Sequence, residues 1–60
     1  MKEQLQEEFK QFLTIKEITT NSISISFLST IEKEIIPQIL FNVYNYVFLK
    51  TGWTGKIDVI

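Results

Sequence analysis

The chain has 60 residues, carries six lysines against seven acidic residues for a net charge of −1, and contains neither cysteine nor histidine. This composition excludes disulfides, thiolate or imidazole metal sites and acid–base catalysis by histidine. The length predicts a single small domain, residues 1–60, in which a hydrophobic burial of about 90 kcal/mol is offset by an ordering cost of similar size.

The first element is predicted to be an amphipathic helix over Glu3–Leu13. Apolar residues recur at helical spacing along it, at Leu5, Phe9, Phe12 and Leu13. Acidic residues near its start suit the helix dipole. The position of its end, between Leu13 and Ile18, stays open because the β-branched residues that follow disfavour a helix.

The second element, Ser22–Leu28, alternates serine with isoleucine or phenylalanine and therefore predicts a half-buried strand. The alternative is that the following helix begins early, near Asn21, which would make the fold all-α.

The third element is a long helix over about Thr30–Lys50. Ser29 and Glu32 have the spacing of a capping box, and Gly52 is suited to the C-terminal end. Pro37 lies inside the pattern, and the apolar rows stay in phase on both sides of it. The sequence therefore predicts one helix with a kink at Pro37.

The tail predicts a short strand, since Ile57 and Val59 alternate with Lys56 and Asp58. Such a strand could pair with residues 23–27, with the long helix as the crossover, but the pairing of the two strands stays open. The predicted fold is thus α+β and helix-dominated: an N-terminal amphipathic helix, a short strand, a long Pro-kinked helix and a short C-terminal strand.

The long helix is apolar on most of its circumference beyond Pro37, which is unusual for a surface helix. One interpretation is that Phe9, Phe12 and Trp53 wrap it within the chain. The other, which we favour, is that part of it is an interface in a homo-oligomer or against a protein partner. The predicted partner-binding residues are Phe41, Tyr44, Tyr46, Phe48 and Trp53.

No residue set indicates catalysis or a cofactor. Glu32 and Glu34 point apart on a helix, and Gly52 with Gly55 lacks the Lys-Ser/Thr of a phosphate loop. No spacing typical of a metal site occurs either, so we expect no enzyme activity, no cofactor and no bound metal.

Charge and hydropathy set further expectations about partners. Arginine is absent and the lysines are scattered, so autonomous nucleic-acid binding is not expected. The longest uncharged run, 35–49, would span about 22 Å as a helix, which is shorter than a bilayer core of about 30 Å. The polar N-terminus is unlike a signal peptide, and we expect a soluble cytoplasmic protein without a membrane span.

Two stretches resemble the small helical head–tail connector (adaptor) proteins of tailed bacteriophages. Residues 7–15, with the sequence EEFKQFLTI, resemble the opening helix of that family, and Tyr46-Val47 followed by Thr51-Gly52 resembles the end of its second helix. The resemblance implies a ring-forming adaptor between portal and tail, located in the virion or the host cytoplasm. A composition without alanine or arginine but rich in isoleucine and lysine is typical of AT-rich genomes, as in low-GC bacteria and their phages.

The expected function is therefore that of a non-enzymatic structural or assembly protein. The alternative is a small phage-type inhibitor that occludes a host or defence enzyme and uses its acidic residues, Glu3, Glu7, Glu8, Glu32 and Glu34, to approach a basic cleft.

Overall fold

A computed structural model describes residues 2–60, which form two α-helices, one 3₁₀ turn and three strands. Their order is α1 (Lys2–Phe9), β1 (Leu13–Ile18), β2 (Ser22–Phe27), the 3₁₀ turn (Lys33–Ile35), α2 (Ile36–Thr51) and β3 (Lys56–Val59). The sheet has the order β1-β2-β3; β1 is antiparallel to β2, and β3 is parallel to β2. The predicted α+β class is confirmed.

Both helices cover one face of the sheet, and the hydrophobic core fills the space between the two layers. The core residues come from the two helices and from β1 and β2: Leu5, Phe9, Leu13, Ile15, Ile23, Ile25, Ile39, Val43 and Val47. The opposite face of the sheet carries the serines of β2 and the charged residues of β3. The alternation of side chains along each strand explains this separation of polar and apolar residues.

Strand β1 was not predicted from the sequence. The predicted helix over Glu3–Leu13 is too long, because α1 ends at Phe9 and the chain turns before Leu13. A β-bulge between Ile15 and Glu17 places an extra residue in β1. The bulge brings Ile15 and Ile18 to the same face, opposite Ile25 and Ile23, although they are three residues apart. Their spacing therefore imitates the period of a helix.

The predictions for the second and fourth elements are confirmed. The strand predicted over Ser22–Leu28 occurs as β2, and the tail forms β3. Ile23 lies opposite Ile57 and Ile25 opposite Val59 in a parallel pair, with α2 as the crossover. Since parallel strands require a long connection, a helix at this point is what the geometry demands.

The long helix begins later than predicted, and the predicted kink is wrong. Pro37 lies in the first turn of α2, where a missing backbone N–H removes no helical hydrogen bond. The capping box predicted from Ser29 and Glu32 is also wrong, because Ile35 occupies the N-cap position of α2. Of the residues in the predicted apolar rows that precede α2, Ile35 lies in the 3₁₀ turn and Ile31 in the loop before it.

The end of α2 agrees with the prediction. Gly52 adopts a left-handed conformation with φ of 76°, and its N–H donates to the carbonyl oxygen of Phe48 at 2.7 Å. The Thr51 hydroxyl donates to the Val47 carbonyl oxygen at 3.0 Å. This arrangement satisfies carbonyls that the helix end would otherwise leave unpaired.

The outer edge of β1 is partly closed by a side chain. The Gln6 amide nitrogen donates to the carbonyl oxygen of Leu13 at 3.0 Å, and its oxygen accepts from the Ile15 N–H at 2.7 Å. The amide thus occupies the position that the backbone of a further strand would take. Together with the bulge, it protects this edge from pairing with another chain.

Replacement of Gln6 by alanine is expected to lower the free energy of unfolding by about 1–2 kcal/mol, since two hydrogen bonds to the backbone are lost. Gln4→Ala, which removes an exposed glutamine from the same helix, is the matched control. Chemical denaturation measures both, and amide exchange at Ile15 is expected to accelerate only in the Gln6 variant. Equal stability of the two variants would show that the Gln6 bonds contribute nothing.

Candidate interaction surface

The buried face of α2 is formed by Ile39, Val43 and Val47, which follow one another at four-residue intervals. This face lies on the sheet and completes the core. Every residue from Ile36 to Leu49 is uncharged, so the remaining circumference of the helix is also largely apolar or aromatic. The position of each aromatic side chain around the helix then decides whether it is available to a partner.

Tyr46 points towards α1. Its ring meets the Phe9 ring edge to face, with centroids 5.8 Å apart and an interplanar angle of 86°. The Lys50 ammonium lies 5.5 Å from the centroid of the Tyr46 ring. Tyr46 thus contacts residues of its own chain and lies apart from the other predicted partner-binding residues.

The other four predicted residues lie together, and we call them the outer aromatic face: Phe41, Tyr44, Phe48 and Trp53. At about 100° per residue, the three of them on α2 fall within about 60° of one another, on the flank opposite Tyr46. The Tyr44 and Phe48 rings are stacked, with centroids 6.2 Å apart and an interplanar angle of 12°. Phe41 is 60% exposed and Phe48 44% exposed, so this flank presents large apolar area to water.

Trp53 anchors the outer aromatic face to the turn between β1 and β2. Its indole N–H donates to the Thr20 carbonyl oxygen at 3.1 Å, and its backbone N–H donates to the Thr51 hydroxyl oxygen at 3.2 Å. The ring also packs against Tyr44, with centroids 6.0 Å apart. These contacts restrain the rings, so less conformational entropy is lost when a partner binds.

Trp53 brings the outer aromatic face close to the start of β3, because a β-carbon built on Gly55 would overlap the Trp53 ring. Strand β3 is at the opposite edge of the sheet from β1, against which α1 packs. Along the β3 edge, Val59 is 50% exposed and Ile60 75% exposed. Neither residue was predicted to bind a partner, although the alternation of Val59 with Asp58 already indicated an apolar strand face.

The polar residues considered as candidates for catalysis lie at exposed turns and on the sheet. Glu32 and Glu34 are both exposed, at and within the 3₁₀ turn. Ser22 lies on β2, where its hydroxyl is 3.2 Å from the Thr19 hydroxyl in the hairpin. Within residues 2–60, acidic side chains do not gather in groups of three that could hold a metal ion. Over the same residues, neither helix has the length and apolar character needed to cross a bilayer.

Comparison with known proteins gives no relative: no protein-family model, no curated protein and no solved structure matches this chain. The function must therefore be inferred from the geometry of the chain itself.

Proposed function

We propose that this is a non-enzymatic structural or assembly protein that associates through the outer aromatic face, as a homo-oligomer or as a subunit of a larger complex. The observation that supports the proposal is the exposure of Phe41 and Phe48 on an uncharged flank of α2, whose opposite face is already buried. Removal of apolar surface from water contributes about 25 cal/mol per Å², so a partner covering these rings is favoured.

The size of the chain gives a second physical reason. A domain of this length buries only about 60% of the surface that its unfolded chain exposes. Its stability is therefore small, and association with a partner that binds only the folded state adds to it. Association through an interface thus stabilises the folded subunit as well as forming the assembly.

A finer form of the proposal is a ring-forming phage virion adaptor, which rests on the resemblance to head–tail connectors. Residues 7–15 resemble the opening helix of that family, but α1 ends at Phe9 and residues 13–15 belong to β1. A ring requires two different surfaces on each subunit, whereas a two-fold dimer uses one surface twice. The mass of the assembled species separates these forms.

The double variant Phe41→Glu, Phe48→Glu is expected to weaken association by at least tenfold, because each buried charge must be desolvated and apolar contact is lost. Sedimentation equilibrium over a range of concentrations measures this, with circular dichroism to verify folding. Leu49→Glu is the control, since Leu49 is 81% exposed but lies outside the outer aromatic face.

Two results would contradict the proposal. The first is a double variant that associates as the unmodified chain does, which would place the interface elsewhere. The second is an unmodified chain that remains monomeric at every concentration, with a melting temperature independent of concentration. That second result would favour the occluding inhibitor.

A further inference from the structure

The two edges of the sheet differ in how they are protected. The Gln6 amide and the bulge protect the outer edge of β1. Strand β3 is the last strand of the sheet formed by residues 2–60, and its start lies close to Trp53 of the outer aromatic face. An edge strand with unpaired backbone groups is a template for pairing with another chain.

The hydrogen bonds of β3 show which backbone groups point outwards. The Lys56 N–H donates to the Asn21 carbonyl oxygen at 3.0 Å, and the Ile60 N–H donates to the Ile25 carbonyl oxygen at 2.8 Å. Alternate residues of a strand direct their N–H and C=O groups to the same side, so residues 56, 58 and 60 face β2. The N–H and C=O groups of Ile57 therefore point away from the sheet.

The side chains of β3 are complementary to themselves. In an antiparallel pair centred on Ile57, Lys56 of each copy lies opposite Asp58 of the other, which gives two opposite-charge pairs. A pair centred on Asp58 would instead place two carboxylates opposite each other. Within one chain, the Lys56 ammonium and the Asp58 carboxylate are 3.9 Å apart and both side chains are well exposed, so both charges are accessible to a second copy.

We propose that two copies of the chain pair through β3, antiparallel and centred on Ile57, to form one continuous six-stranded sheet. The Ile57 N–H of each copy donates to the Ile57 carbonyl oxygen of the other. Ile57 is on the face of the sheet that the helices cover, since it is paired with Ile23. The helices of both copies then lie on the same side of the continuous sheet.

This proposal rests on the proposed function, because it names a second copy of the chain as the partner in the association. Exchange of charges tests it. Lys56→Glu and Asp58→Lys each place like charges opposite one another at both pairs, and each is expected to raise the dimer dissociation constant by about tenfold. The double variant Lys56→Asp, Asp58→Lys restores opposite charges. Its dimer dissociation constant is expected to be within about threefold of that of the unmodified chain.

Lys16→Glu is the matched control, since it makes the same charge change at an exposed position in the β1 bulge. All variants are compared by sedimentation equilibrium at low ionic strength, where exposed charges are least screened. The result that supports the proposal is a dimer weakened by each single exchange, restored by the double exchange and unaffected by Lys16→Glu.

Other results overturn the pairing and can be told apart from failure of the proposed function. If the β3 exchanges behave like Lys16→Glu while Phe41→Glu, Phe48→Glu still dissociates the assembly, the outer aromatic face is supported and β3 pairing is wrong. A closed ring that is insensitive to the exchanges likewise overturns the β3 pairing. A chain that is monomeric at every concentration overturns both proposals.

Discussion

Replacement of Leu5 by alanine is expected to unfold much of the protein at room temperature, whereas Leu49→Ala is expected to change its stability by less than about 0.5 kcal/mol. Leu5 is fully buried between α1 and the sheet, and Leu49 is 81% exposed. Both residues are helical, so the change in helix propensity is the same and cancels in the comparison. The lost contacts and the cavity at Leu5 cost about 2–5 kcal/mol, a large part of the stability of so small a domain.

Denaturation followed by the fluorescence of Trp53, the single tryptophan of the chain, measures both variants. The protein concentration must be low enough to keep the chain monomeric, because association adds its own free energy. Equal losses at Leu5 and Leu49 would show that α1 does not supply a core contact through Leu5.

The second large effect is expected at Gly55. A β-carbon built there would overlap the carbonyl oxygen of Asn21 and the ring of Trp53, and would be 2.7 Å from the Asn21 carbonyl carbon. That carbonyl accepts the hydrogen bond from Lys56 that begins β3. Gly55→Ala is therefore expected to displace the start of β3 and to cost about 2–3 kcal/mol, at the upper end of overpacking effects.

Gly52→Ala is the control for Gly55→Ala, because the two glycines are required for different reasons. The space around Gly52 is open, but its φ of 76° strains any residue with a β-carbon, at a cost of about 1–2 kcal/mol. Thermal unfolding gives the two losses, and amide exchange at Lys56 is expected to accelerate mainly in the Gly55 variant. A smaller loss at Gly55 than at Gly52 would contradict the close approach of Asn21.

Where local pattern and tertiary environment agree, single elements of the fold were predicted from the sequence. Strand β2 alternates small polar and large apolar residues, which is the pattern of a sheet with one covered face. The tail strand was also predicted, and the helix before it is the usual connection of the parallel pair that β3 forms with β2. Gly52 marked the end of α2 because it can adopt a positive φ.

Prediction failed where two different arrangements share one spacing. Ile15 and Ile18 are three residues apart, as on a helix, but the bulge in β1 brings them to the same face of a strand. Pro37 was predicted to kink a helix because the apolar rows continue before it, whereas Ile35 lies in a 3₁₀ turn and Ile31 in the loop that precedes it. Local spacing cannot distinguish these cases, since the pairing with β2 and the packing on the sheet decide them.

The candidate interaction surface could likewise be predicted only in part from the sequence. The excess of apolar residues on α2 was visible in the sequence, and four of the five residues predicted to bind a partner lie together on the outer aromatic face. Tyr46 does not, because the position of α1 turns that flank of the helix inwards against Phe9. The contribution of Val59 to the exposed surface depends on the strand order, which places β3 at the edge of the sheet.

By itself, the order of residues favoured an α+β fold over the all-α alternative and indicated more apolar helix surface than a single core needs. Tertiary structure alone decided which flank of α2 is covered, which sheet edge is protected and which is open. The physical reason is that periodicity specifies the faces of each element separately. Which face meets water depends on the neighbours that the other elements provide.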